Sequence, residues 1–82
     1  MTNADKMFEE LGFKKSDIYF EYSRHNDFEN TDLQIDFDER YENVLISTDK
    51  RDGDYATITS VLKMAELKAI NEKCKELGWL DD

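Results

Sequence analysis

The segment DLQIDFDE, at residues 32–39, alternates strictly between apolar and polar side chains. Leu33, Ile35 and Phe37 lie two residues apart, and successive side chains of a β-strand point to opposite faces of a sheet. A sheet with one apolar face must bury that face against another layer of structure. The segment therefore predicts a strand in a sheet that is covered on one face and open on the other.

Three further segments predict strands, because they are rich in aromatic and β-branched residues. They are DIYFEYSRH, NVLIST and YATITSV, and the last has the weakest alternation. NDFENTD separates the first of them from DLQIDFDE, and its Asn and Asp residues favour a turn. DKRDGD follows NVLIST and contains an Asp-Gly pair that suits a hairpin turn. The sequence thus predicts an antiparallel meander of three or four strands.

Helical patterns flank the predicted sheet at both ends of the chain. An N-terminal helix over residues 3–11 is predicted, with Thr2 or Asn3 as its N-cap. Its apolar stripe consists of Ala4, Met7, Phe8 and Leu11. A C-terminal helix is predicted over residues 63–77, although Lys63 is no N-cap and Ser60 is the nearest residue of a capping type. Its expected sheet-facing stripe is Met64, Leu67, Ile70, Cys74 and Leu77, with Glu66, Lys68, Glu72 and Lys75 elsewhere around the helix.

Both predicted helices end in the same four-residue pattern, Glu-Leu-Gly-aromatic, in FEELGF and CKELGW. Glycine adopts the left-handed conformation that ends a helix, and the apolar residue after it packs back onto the last turn. Gly12 and Gly78 are therefore expected to end the two helices. The expected contacts are Phe13 with Phe8 and Trp79 with Cys74.

These elements predict an α+β fold: a three- to four-stranded antiparallel meander sheet with an N-terminal and a C-terminal helix packed on one face. The 82 residues form a single domain, 1–82. A chain of this length buries roughly 60–65% of its surface, which allows one modest core and no deep pocket.

The net charge of −9 is concentrated in one part of the chain. Residues 17–54 contain twelve acidic and four basic side chains, a net charge of −8. Such a field repels nucleic acid and anionic membranes and attracts basic protein surfaces. The alternative interpretation is that the charge serves solubility alone.

The predicted open face of the sheet carries many of these acidic side chains. If Phe20, Ile35, Phe37, Val44 and Ile46 face the helices, Leu45 and several acids lie on the other side. The candidate partner-binding residues are Tyr19, Glu21, Asp36, Asp38, Glu39 and Glu42.

The sequence offers little for catalysis or for binding a metal or cofactor. His25 is the only histidine and Cys74 the only cysteine, so a zinc site is not expected. No glycine-rich phosphate loop, serine nucleophile motif or calcium-loop spacing occurs. We therefore expect a protein that is not an enzyme and has no cofactor. The single cysteine and the lack of a secretory signal favour a cytoplasmic location.

ELKAINEKCKELGWL, at residues 66–80, resembles the C-terminal helix of small uncharacterised proteins encoded by phages and prophages of Gram-positive bacteria. The opening MTNADKMFEELGF is similar to the N-terminus of the same group. The likeness covers about thirty residues at the two ends, and the acidic middle has no recognisable counterpart. Lys63 and Ala65 depart from the group's pattern, which usually has a small polar residue and extra acids there. The group has no activity from which functional residues could be assigned.

This resemblance implies a setting in which small acidic proteins act by binding proteins of the host or phage. The first hypothesis is an anti-CRISPR-like or anti-defence inhibitor that occupies a basic surface of a host nucleic-acid-binding protein, without contacting nucleic acid or membrane. The alternative is a phage accessory or adaptor protein, perhaps homodimeric, that associates through an apolar patch at Trp79 and Leu80 or through a strand edge.

Overall fold

The computed structural model of the chain describes residues 2–28, 30–50 and 62–80. Within these ranges lie two helices and one antiparallel sheet whose strands follow the chain order β1-β2-β3-β4. The elements are α1 Asn3–Glu10, β1 Lys14–Lys15, β2 Glu21–Asn26, β3 Thr31–Asp38, β4 Asn43–Lys50 and α2 Met64–Glu76. The predicted α+β class, with a helix at each end of a meander, is confirmed.

The four strands are not the four that the sequence predicts. β1 was not predicted, because two lysines show no alternation, yet Lys14 pairs with Ser23 and Lys15 with Tyr22 of β2. β2 starts at Glu21 rather than near residue 17. YATITSV and the Asp-Gly pair of DKRDGD fall outside the described residues.

Both helices end as the repeated Glu-Leu-Gly-aromatic pattern predicts. Gly12 and Gly78 have φ angles of +88° and +81°. The Phe13 N–H donates to the Phe8 carbonyl at 3.0 Å, and the Trp79 N–H donates to the Cys74 carbonyl at 2.9 Å. Together with the glycine N–H bonds to Glu9 and Lys75, these contacts form two Schellman motifs.

The start of α1 is also as predicted. The Thr2 hydroxyl accepts a hydrogen bond from the Asp5 N–H at 3.2 Å, and the Asp5 carboxylate accepts one from the Thr2 N–H. This reciprocal pair satisfies two N–H groups that the helix leaves free at its first turn.

The core lies between the two helices and the inner face of the sheet. Phe8 of α1 stacks on Tyr22 of β2 with their ring centroids 4.0 Å apart, and Phe13 meets Phe8 edge-on at 5.4 Å. Phe37 contacts both Phe8 and Tyr22 edge-on. The buried cluster consists of Phe8, Phe13, Tyr22, Ile35, Phe37, Ala69, Ile70 and Cys74. These aromatic contacts fix the sheet against α1 and thereby orient its opposite face toward solvent.

The buried face of α2 differs from the predicted stripe by one position. Met64 is 67% exposed and Leu67 is 38% exposed, whereas Glu66 is only 2% exposed. The buried residues of the helix are Glu66, Ala69, Ile70, Lys73 and Cys74. The prediction for Glu66 was wrong because an ion pair with Arg24 of β2, at 3.2 Å, compensates its charge inside the domain.

The start of α2 has a related explanation. Lys63 is the N-cap residue, and the capping contact comes from Glu66, whose Oε2 accepts a hydrogen bond from the Lys63 N–H at 3.2 Å. Glu66 therefore serves both the helix start and the ion pair with Arg24.

Candidate functional site

The outer face of the sheet carries a row of side chains that runs across three strands. Glu21 of β2 pairs with Asp36 of β3, and Asp36 pairs in turn with Leu45 of β4. Their neighbours Ile35 and Phe37 are buried on the opposite face. The predicted division of β3 into an apolar inner face and an acidic outer face is therefore confirmed.

A groove of about 850 Å³ lies at the end of this face where the 16–20 segment approaches the turn between β3 and β4. Five of the six predicted partner-binding residues line it: Tyr19, Glu21, Asp36, Asp38 and Glu39. Glu42 does not line the groove. It lies in the β3–β4 turn with a left-handed backbone, at φ +53°.

The 16–20 segment is held by four hydrogen bonds. The Ser16 N–H donates to the Glu21 carbonyl at 2.9 Å, and the Phe37 N–H donates to the Phe20 carbonyl at 2.8 Å. The Ser16 hydroxyl oxygen accepts from the N–H groups of Ile18 and Tyr19. This turn places Ile18 and Tyr19 in solvent, at 80% and 68% exposure.

Ile18 was therefore assigned to the wrong side. The alternation in DIYFEYSRH groups it with Phe20 and Tyr22 on the inner face, but the strand has not begun at this point. The serine three residues before Tyr19 is the sequence signal that could have indicated a turn here, since Ser side chains commonly bond the backbone two and three residues ahead.

The other wall of the groove is built by the β3–β4 turn. The Asp38 carboxylate accepts a hydrogen bond from the Arg40 N–H at 2.9 Å, which fixes the start of the turn. The Arg40 guanidinium lies over the Tyr41 ring, 5.9 Å from its centroid. Asp38 thus has a structural role as well as a place in the groove.

The carboxylates of the groove are not neutralised by ion pairs. Glu21, Asp36, Asp38 and Glu39 form no ion pair with any residue in the described ranges. Two cations, Lys15 and Arg40, line the groove as well, but the ammonium of Lys15 pairs with Asp5 at 3.2 Å on the helix side of the sheet.

Glu21 and Asp36 interact directly with each other. Burial raises the pKa of Glu21 above its ordinary value, and the charge of Asp36 and a hydrogen bond with its carboxyl raise this pKa further. Asp36 also accepts a hydrogen bond from the side-chain amide of Gln34 at 3.3 Å. The pair is a site of concentrated negative potential that a cation would relieve.

The two residues most often used in catalysis are placed in structural settings. Nδ1 of His25 lies 2.9 Å from Asp32, and its Nε2 lies 3.3 Å from Asp27. Cys74 is buried and unpaired in a disulfide, and burial raises the pKa of its thiol, which makes it a poor nucleophile. Over residues 2–28, 30–50 and 62–80, no three His, Cys, Asp or Glu side chains are grouped so that they could hold a metal ion.

The apolar patch expected at Trp79 and Leu80 is only partly exposed. Trp79 packs toward the core, with its ring 6.3 Å from that of Phe37, whereas Leu80 is exposed. Of the helices in the described part of the chain, none has the length and apolar composition needed to cross a membrane.

Comparisons with known proteins add no family to these observations. No protein-family model matches the chain, and searches of curated proteins and of solved structures find no significant match.

Proposed function

We propose that this chain is a non-catalytic protein-binding module that docks the acidic groove onto a basic surface of another protein. The observation that carries the proposal is the meeting of Tyr19, Glu21, Asp36, Asp38 and Glu39 in one groove without compensating ion pairs. Like charges placed directly opposite on neighbouring strands destabilise a sheet. A chain that retains them has a use for the negative potential that outweighs this cost.

The proposed partner is a nucleic-acid-binding or defence protein of a bacterial host, which the chain would inhibit in the manner of an anti-CRISPR protein. A protein surface that binds phosphates is lined with Lys and Arg, and a carboxylate-rich face is complementary to such a surface. The net charge of −9 supports rapid, electrostatically guided association with it. The resemblance of both chain ends to small phage and prophage proteins agrees with a bacterial host.

The alternative is a phage accessory or adaptor protein that forms homodimers. Only Leu80 of the expected apolar patch is exposed, since Trp79 packs on Phe37. This leaves the acidic groove as the better-supported surface. Light scattering separates the two proposals, because the alternative requires a dimer whose stability does not fall with added salt.

The test is capture of host proteins on the tagged chain, followed by their identification by mass spectrometry. Two variants are compared with the original chain: Asp36→Lys in the groove and Glu10→Lys on the exposed end of α1. The proposal predicts a Lys/Arg-rich partner that Glu10→Lys retains and Asp36→Lys loses. Equal retention by both variants, in a folded state verified by circular dichroism, contradicts it.

A further inference from the structure

The groove combines its carboxylates with exposed apolar side chains, and this combination restricts the partner further. Ile18, Tyr19 and Leu45 all line the groove and are 80%, 68% and 53% exposed. Single exposed apolar residues are ordinary, but three around one concave surface are typical of a binding site. A purely electrostatic contact would leave them in water.

The apolar and acidic groups are adjacent rather than segregated. Leu45 pairs with Asp36, which pairs with Glu21, so one row across the outer face holds both kinds of side chain. Tyr19 lies two residues before Glu21 on the same chain, and the hydrogen bonds of Ser16 fix its backbone. A ligand that reaches the carboxyl pair must therefore also contact apolar surface.

We propose that the groove receives a single segment of the partner in which an arginine is flanked by large apolar side chains. The guanidinium would pair with Glu21 and Asp36, and the flanking side chains would contact Ile18, Tyr19 and Leu45. This inference rests on the proposed function and specifies the chemistry of the partner at the same groove.

Arginine fits this surface better than lysine for two reasons. Its planar guanidinium donates two parallel hydrogen bonds, which suits two carboxyl groups that lie side by side, whereas the ammonium of lysine acts as a point charge. It also stacks on aromatic rings, and Tyr19 offers an exposed ring beside the carboxyl pair. Pairing with a cation favours the ionised form of Glu21, whose pKa is raised in the free protein, so binding releases protons near that pKa.

The segment 16–20 is already ordered for such a contact. Four hydrogen bonds hold it in the free chain, so binding does not have to order it. Preorganisation of this kind lowers the entropic cost of association. Ser16→Ala removes the two hydroxyl contacts without changing any groove charge, and it should weaken binding through the position of Ile18 and Tyr19.

The experiment uses calorimetry with short capped synthetic peptides and the full chain. The reference peptide repeats Leu-Arg-Leu between Gly-Ser ends; a second replaces Arg by Lys, and a third replaces Leu by Ser. We expect the second and third peptides to bind about tenfold or more weakly, a factor typical of one lost interfacial anchor. Asp36→Asn and Leu45→Ser should each weaken the reference peptide by a similar factor, and Glu10→Gln should leave its affinity unchanged.

Three outcomes overturn the inference, and they differ in what they imply for the proposed function. If the Ser peptide binds as well as the Leu peptide, or if Leu45→Ser has no effect, the contact is electrostatic alone and the proposed function stands. If no peptide binds while the chain still captures a basic host protein at Asp36, the groove takes a folded surface instead of a segment. If Glu10→Gln weakens binding as much as Asp36→Asn does, the groove has no special role and both proposals fail.

Discussion

Glu21 and Asp36 lie directly opposite each other on β2 and β3, with their carboxyl groups joined by a hydrogen bond. Two acids in this arrangement cannot both ionise without repulsion, and burial adds to the rise in the pKa of Glu21. No cation among the described residues pairs with either of them. The outer face of the sheet thus holds unrelieved negative charge at the centre of the groove.

Removing one acid of this pair should stabilise the fold while it weakens binding. We expect Asp36→Asn to raise the free energy of unfolding at neutral pH by about 0.5 kcal/mol, because it removes a cross-strand repulsion. Urea denaturation measures the change, with Glu10→Gln as the control for loss of an exposed charge.

The same variant carries a pH signature. The folded pKa of Glu21 is raised, so its contribution to stability is fully present below the unfolded pKa and is lost as pH rises through the folded value. The advantage of Asp36→Asn should therefore shrink on acidification through this range. An advantage that is unchanged or larger at the lower pH contradicts the repulsion account.

Asp5 predicts a separate loss of stability in acid. Burial raises the pKa of its carboxyl, but hydrogen bonds from Tyr22, Lys15 and Thr2 and the charge of Lys15 outweigh this effect and lower the pKa to about 2. The resulting stability is present above the unfolded pKa, near 4, and is lost as pH falls toward 2. We expect a loss of about 2 kcal/mol across this window.

Two variants isolate that carboxyl. Asp5→Asn should remove most of the acid dependence between pH 4 and pH 2 in denaturant titrations, because the group no longer ionises. Tyr22→Phe removes the 2.5 Å hydrogen bond from the phenol and should raise the pKa of Asp5, measured by NMR. An unchanged pKa in Tyr22→Phe contradicts the assigned cause.

The ion pair between Arg24 and Glu66 should show strong coupling in a double-mutant cycle. Arg24→Met leaves the 2%-exposed Glu66 without its partner and should cost about 3 kcal/mol. Glu66→Met in the same chain should recover most of this loss, but not all of it, since Arg24 also donates to the Leu11 carbonyl at 2.9 Å. Additive losses in thermal unfolding would show that the two side chains do not depend on each other.

Gly78 tests the helix-ending role of the repeated pattern. Its φ is +81°, and a Cβ at this position would meet no atom within 4 Å, so the cost of Gly78→Ala arises from the backbone alone. We expect a loss of about 1 kcal/mol. A synthetic chain with D-alanine at position 78 should be at least as stable as the original, because positive φ suits a D-residue. Equal losses for both alanines would exclude this explanation.

The sequence predicts the parts of the fold that depend on local patterns. Alternation in β3 identifies its two faces, and Gly12 and Gly78 identify the helix ends. It fails where a distant partner decides the outcome: Glu66 is buried because Arg24 compensates it from another element. It also fails at Ile18, where the Ser16 hydroxyl replaces strand pairing with a turn.

The candidate site follows the same division. Residue type and strand parity were enough to group Glu21, Asp36 and Asp38 on one face. They could not show that Glu42 lies outside the groove, because its left-handed turn conformation breaks the parity. Nor could they indicate the contribution of Ile18 to the groove.

Carbodiimide cross-linking of the captured complex tests the central claim most directly, because it joins carboxylates to lysines that are in contact. The account predicts cross-links from Asp36, Asp38 or Glu39 to lysines of the partner, and a marked loss of them when nucleic acid is added as competitor. Cross-links confined to Glu9 and Glu10 of α1, with none from the groove, would contradict it.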